Sequence, residues 1–202
     1  MASIESRMNL FHLLSQTLIN RVEGDVVEIG CHEGESSVVL QAVIQSIDPT
    51  RQLHVFDSFH GVPNGDAADK GVYKAGDMKA SKMQLYENFD HLGLKRPLVH
   101  SGWFEKTLPL FLPERIAFGL IDADLYRSTL FSLRTAYPRL TPASICLLGV
   151  YWDPQAGVVT TTDMKYRSPG VKQACDEFFT NKPERISILL AGNYTSGYFR
   201  KM

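Results

Sequence analysis

Cysteine is scarce in this chain of 202 residues, with three thiols (Cys31, Cys146, Cys175) far apart in apolar surroundings. An odd, widely spaced set offers neither a disulfide framework nor a zinc spacing, so reduced thiols in a cytoplasm are the expectation. An excess of one charge is also missing. The 21 Lys and Arg and 22 Asp and Glu are mixed along the chain for a net charge of −1. That removes the footprint of a nucleic-acid partner or an anionic membrane. No apolar run approaches a membrane span, and the opening Met-Ala-Ser-Ile-Glu lacks the basic-then-apolar order of a signal peptide. The dinucleotide fingerprint G-x-G-x-x-G is absent too, which argues against NAD or FAD. What remains is a soluble chain that reads as one domain over 1–202, long enough to bury a core.

The most informative stretch is Val26-Val27-Glu28-Ile29-Gly30-Cys31-His32-Glu33-Gly34-Glu35-Ser36-Ser37. It reads as a buried strand that breaks on Gly30, turns, and enters a helix with Ser36 as its cap. Before it, Met8, Phe11, Leu14 and Leu18 predict a covering helix within residues 1–23. After it, helices are expected over 38–47, 78–92, about 104–112, 126–140 and from Ser168-Pro169 onward. Strands are expected at 53–57, 97–100, 116–121 and 144–148. Residues 186–190 and 197–200 read as an antiparallel pair joined at Gly192-Asn193. Two stretches, 58–77 and 151–167, have little periodicity and read as lid or substrate loops. Repeated strand–helix alternation predicts a doubly wound α/β sheet, mostly parallel, with one C-terminal antiparallel strand.

In such a sheet, ligands bind beyond the carboxyl ends of the strands, where strand order reverses. Four of the five parallel strands carry acids at or near that end, which exceeds what solubility requires, because buried carboxylates are costly unless paired or liganded. Asp57 is placed to accept ribose hydroxyls, or else it forms an Asx turn. Ser101 and Trp103 border an adenine ring, or Trp103 is core. Glu28 either orders the glycine turn or faces a cationic part of the ligand. Asp122-Ala123-Asp124 can hold a divalent cation, act as base, or cap the next helix; Asp124 is the better cap and Asp122 the better ligand.

At these residues the sequence resembles a known family. Val27-Glu28-Ile29-Gly30, Gly34, Ser36-Ser37, Asp57-Ser58-Phe59-His60-Gly61-Val62-Pro63, Gly102-Trp103-Phe104 and Asp122-Ala123-Asp124-Leu125-Tyr126 occur in its order. Tyr137-Pro138-Arg139-Leu140, Pro169-Gly170 and Tyr198-Phe199-Arg200-Lys201 continue it. Together they resemble the macrocin O-methyltransferase (TylF-like) enzymes, which methylate sugar hydroxyls of natural products. The resemblance implies a Rossmann-like methyltransferase sheet. It also implies S-adenosyl-L-methionine held by Glu28, Gly30, Gly34, Ser36, Asp57 and Ser58, with Ser101 and Trp103 on the adenine side and Asp122 nearby. A divalent metal, usually magnesium, is implied on Asp122 and on an Asp-Asp pair after the fifth strand. Here the chain departs from the pattern, because that pair falls on Gly149-Val150, followed by Tyr151. Asp153 or Asp163 is a conceivable replacement without support from spacing. The expectation is therefore a methyltransferase acting on an oxygen of a small-molecule acceptor without a complete metal site, the nucleophile being deprotonated by Asp124, His60 or Tyr151. The alternatives are a metal enzyme using Asp122 and Asp153, and a degenerate cofactor-binding homologue. A homodimer through the first helix or the lid is a further expectation.

Overall fold

The computed structural model describes residues 3–153, 168–192 and 194–202. Seven strands form one sheet: β1 (Asp25–Ile29), β2 (Leu53–Asp57), β3 (Leu98–Ser101), β4 (Ile116–Ile121), β5 (Leu140–Leu148), β6 (Ser187–Ala191) and β7 (Tyr194–Arg200). Their order is β3-β2-β1-β4-β5-β7-β6. The first five run parallel, and β7 lies antiparallel between β5 and β6. The helices are α1 (Ile4–Ile19), α2 (Glu35–Ile47), α3 (Lys82–His91), α4 (Phe104–Phe111), α5 (Tyr126–Ala136) and α6 (Pro169–Phe179). This is the doubly wound, mostly parallel α/β sheet that the alternation predicts.

Period-two alternation divides the core between the two faces of the sheet. On β1, Val26 joins Leu14, Leu40, Leu85 and Phe118 under α1 to α3. Val27 and Ile29 join Leu108, Leu133, Cys175 and Phe199 under α4 to α6. Burying each such side chain contributes about 1.5–3 kcal/mol. β4 is buried at all six positions, as expected of a central strand. The three cysteines are buried free thiols.

Several boundaries differ from expectation. In α1 the inward stripe is Leu10, Leu14 and Leu18, while Met8 and Phe11 are about half exposed. The helix covers the sheet through that i, i+4, i+8 line instead. In α3, Leu85 and Phe89 point inward while Met83 and Leu92 are exposed. The helix expected over 126–140 ends at Ala136, because Pro138 lies in a short 3₁₀ turn and Leu140 already belongs to β5. Gly34, not Ser36, is the N-cap of α2, and Ser36 lies in its first turn. Asp163, most of the stretch 151–167, and Asn193 of the last turn lie outside the described residues. Among the described residues, no helix is long and apolar enough to cross a membrane.

Candidate functional site

Strand order reverses between β1 and β4, and the chain leaves β1 there through Gly30. Gly30 has φ +87°, and a Cβ on it would lie 2.1 Å from the Asp122 carbonyl oxygen. Only glycine lets the two strand tips approach this closely. The Gly30 N–H donates to the Phe56 carbonyl at 2.8 Å, and the Asp122 N–H to the Ile29 carbonyl at 2.8 Å. β1, β2 and β4 are thus tied together beneath the turn.

Two carboxylates organise that turn. Asp57 Oδ2 accepts the N–H groups of Cys31 (3.0 Å) and His32 (2.9 Å), and its Oδ1 accepts that of Phe59 (2.8 Å). Charge-assisted bonds of this kind are the stronger ones, and they hold the glycine turn against the tip of β2. Glu28 lies fully buried behind the turn, and the hydroxyls of Ser36 and Ser37 donate to its two oxygens. Burial pushes its carboxyl up to about 7; the serine hydroxyls oppose this, and Asp122 and Asp57 add to it. Glu28 is thereby tied to Ser36 and Ser37 in the first turn of α2.

Past β4, Asp122 and Asp124 lie on the opposite side of the turn. Burial raises both carboxyls above their ordinary range, Asp122 to about 6 and Asp124 to about 7, and Asp122 raises Asp124 further. Such a pair titrates as a unit. Asp122 Oδ1 is buried with no hydrogen-bond partner. Asp124 has the left-handed φ of +59°, uncommon for a residue with a side chain. Its Oδ1 accepts from the Tyr73 hydroxyl at 3.1 Å. Neither aspartate caps α5. Its first N–H, on Tyr126, donates to Asp69 Oδ1 at 2.8 Å, so the cap comes from the 58–77 segment.

A cleft of about 1080 Å³ opens over these strand tips. Gly30, Ser36, Asp57, Ser58, Trp103, Asp122 and Asp124 line it. Glu28 and Gly34 lie beneath it. Ser101 pairs with Asp57 in the ladder but does not line it. His60 is exposed outside the lining, its Nδ1–H donating to the Ser58 carbonyl at 2.6 Å and its ring 6.4 Å from that of Trp103. Tyr151 is buried in the core against Gly197, and burial pushes its phenol up, so the structure does not bring it to the cleft as a base. Asp153 pairs with Lys172 at 3.8 Å. Sequence reasoning missed Tyr73 of the 58–77 segment, Ser6 and Asn9 of α1, and Tyr194 of β7, all of which line the cleft. Asp66-x-x-Asp69 carried the one available signal, a capping-box spacing.

The described residues do not fit a divalent cation. A Cβ on Gly149 would fall 2.2 Å from Asp122 Oδ1, so the Asp122 carboxylate fills the room a side chain there would need. Gly149 and Val150 bring no side-chain donor, and among the described residues no three His, Cys, Asp or Glu side chains converge on one point. Magnesium demands near-octahedral oxygen ligation, for which Asp122 alone is a poor start. The Gly30 corner, pressed against the Asp122 carbonyl, borders the cleft next to the acid at the tip of β2.

A family model described as macrocin-O-methyltransferase (TylF) matches residues 3–174. The chain belongs to this family. TylF-family relatives include the 8-demethyl-8-(2,3-dimethoxy-alpha-L-rhamnosyl)-tetracenomycin-C 4'-O-methyltransferase of Streptomyces olivaceus, 32% identical over 75% of this chain and 62% of that protein. The mycinamicin III 3''-O-methyltransferase of Micromonospora griseorubida is 31% identical over 72% of this chain and 62% of its own length. The chain therefore spans less than two thirds of these relatives. Among solved structures, the O-methyltransferase NovP superposes with a TM-score of 0.82 at 23% identity, over 98% of this chain and 80% of that one. The calicheamicin methyltransferase CalS11 gives 0.73 at 22% identity, with the same coverage. At those identities the likeness speaks for the fold.

Proposed function

We propose that this chain is an S-adenosylmethionine-dependent O-methyltransferase acting on a small hydroxyl-bearing acceptor of the natural-product type, without a divalent metal. The observation that carries the reading is the Gly30 corner, pressed against the Asp122 carbonyl at the point of strand reversal and opening into the cleft. Family membership and the O-methyltransferase names of the relatives support it. We take 1–202 as one methyltransferase unit with reduced thiols, suited to a cytoplasm, and keep a homodimer through α1 or the 58–77 segment as part of the proposal.

Adenosylmethionine, when bound, supplies a methyl group already activated by its sulfonium. Gly30, Asp57, Ser58 and Trp103 are the residues that would hold it. Asp124 is the base in this reading, since it lines the cleft and burial keeps its carboxyl poised near neutrality. The Tyr73 hydroxyl occupies Asp124 Oδ1 and leaves Oδ2 to meet the acceptor's proton. Holding the acceptor oxygen in line contributes up to about 7–11 kcal/mol of barrier reduction in well-oriented systems, so positioning dominates and the base adds about 10²–10⁴-fold.

The test joins calorimetry and turnover. Adenosylhomocysteine is expected to bind, turnover is expected to survive EDTA, and Asp124→Asn is expected to lower kcat by about 10²–10⁴-fold with donor affinity retained. Absence of adenosylhomocysteine binding sinks the reading, and strict magnesium dependence sinks its metal-free part. Binding without methylated product from any acceptor leaves a cofactor-binding homologue.

A further inference from the structure

Adenosylmethionine brings three charges to the cleft: a sulfonium, an α-ammonium and an α-carboxylate. The two cations meet acids in plenty, because Glu33, Glu35, Asp57, Glu105, Asp122 and Asp124 all border the cleft. The carboxylate is the demanding group, since a charge taken out of water without a partner is costly. Among the described residues, one side chain on the lining is able to carry a positive charge, the imidazole of His32. His60 lies outside the lining, with its Nδ1–H engaged by the Ser58 carbonyl.

The main chain of His32 is fixed and its ring is not. Its N–H donates to Asp57 Oδ2 at 2.9 Å, which holds the residue against the tip of β2. Its φ of +49° is left-handed, uncommon for a residue with a side chain. The imidazole is half-buried and, among the described residues, makes no hydrogen bond, ion pair or ring contact. Two residues on, α2 opens at Gly34, which has no side chain to cap the first amides of the helix. The Cys31 and His32 amides are already taken by Asp57, so an anion at this corner turns to the imidazole and the helix start. The start of α4 also lacks a side-chain cap, so the lining imidazole is what distinguishes the two corners.

We infer that His32 donates a hydrogen bond to the α-carboxylate of the donor, and so makes the cleft select adenosylmethionine over its decarboxylated form, whose aminopropyl arm has no carboxylate. This rests on the methyltransferase reading and names a residue that sets its donor specificity.

Calorimetry with two probes tests it. Adenosylhomocysteine binding to the native protein judges the methyltransferase reading. The inference is judged by comparison with S-adenosyl-3-thiopropylamine, which is adenosylhomocysteine without its carboxylate. The native protein is expected to bind adenosylhomocysteine at least about tenfold more tightly than this analogue, the effect of one charge-assisted hydrogen bond. Glycine takes up a left-handed backbone freely, so His32→Gly removes the ring and spares the turn. This variant is expected to bind adenosylhomocysteine about tenfold or more weakly, with its affinity for the analogue within about twofold of the native protein's. His32→Arg keeps a cation and is expected to recover part of the lost preference. A preference that survives in His32→Gly overturns the inference, and so does an equal loss for both probes, which would mean that His32 only shapes the corner. If His32→Gly does not fold, His32→Asn decides in its place, because asparagine also tolerates this backbone. Loss of the preference in that variant supports the inference, and its retention overturns it.

Discussion

At the scale of single residues, the site is organised by carboxylates at and beneath the strand tips. Glu28 is the clearest case: a fully buried acid on a central strand, accepting from Ser36 and Ser37. Its folded pKa of about 7 exceeds the ordinary 4.5, chiefly because of burial. The folded state therefore binds the proton more tightly than the unfolded state does. Any penalty is absent below pH 4.5 and grows as pH rises through about 7, reaching on the order of 3 kcal/mol. Stability attributable to Glu28 is thus expected to fall between pH 4.5 and 7. Glu28→Gln, which still accepts from one serine, is expected to flatten that slope in chemical denaturation followed across pH. Parallel slopes in the two proteins would show that Glu28 is not the group responsible. The sequence displayed this residue as an acid inside an apolar run. It did not reveal the role of Ser36, because a cap and a first-turn donor differ by two positions in the same glycine-led turn.

The element that most changes between sequence and structure is the segment 58–77. Its lack of periodicity reads correctly as a loop, but composition does not disclose what fastens it. Residues Ala67–Asp69 form a 3₁₀ turn closed by a capping box between Asp66 and Asp69. Asp69 is buried; its Oδ2 accepts the Asp66 N–H at 2.7 Å and its Oδ1 caps α5 through Tyr126. A Cβ on Gly170 would lie 1.9 Å from that Oδ1, so the start of α6 closes over the same carboxylate. One side chain thus joins the 58–77 segment, α5 and α6, across partners 57 and 101 residues away that no local pattern encodes. Asp69→Ala is expected to cost about 1–3 kcal/mol, the loss of a cap and a buried acceptor. It is also expected to speed proteolysis within 58–77 while adenosylhomocysteine affinity stays near that of the parent protein. Unchanged cleavage of the segment would show that Asp69 does not hold it. Tyr73 depends on it, since the same segment carries its hydroxyl to Asp124.

Across the whole molecule, the glycine-turn side of the cleft was readable as a strand-tip corner because strand, glycine turn and acid lie within a few residues of one another, and the sheet's handedness brings β1, β2 and β4 together. The α1–β7 side was not readable. It is assembled from the first helix and the last strand, and Ser6 and Tyr194 meet across a separation of 188 residues. β7 also fixes the tip of β5: Thr195 Oγ1 donates to the Tyr151 carbonyl and Ser196 Oγ to that of Gly149, both at 2.7 Å. What holds the far end of β7 therefore bears on the cleft. Buried Glu184 accepts from the Tyr137 hydroxyl at 2.8 Å and from Lys201 Nζ at 3.1 Å, and Lys201 lies 4.3 Å from the centre of the Tyr137 ring. Burial would raise the Glu184 carboxyl, but its hydrogen bonds, to backbone, Tyr137 and Lys201, outweigh burial and hold it below the usual range. Removing one partner strands the other, so Lys201→Met is expected to cost about 3–5 kcal/mol in urea denaturation. Adding Glu184→Gln is expected to return part of that loss, a coupling of at least about 1 kcal/mol in the double-mutant cycle. Additive losses would mean that the two side chains act independently. A cycle that couples, together with unchanged adenosylhomocysteine affinity in Lys201→Met, would show that the anchor at the end of β7 secures the strand and leaves the glycine-turn side of the cleft intact.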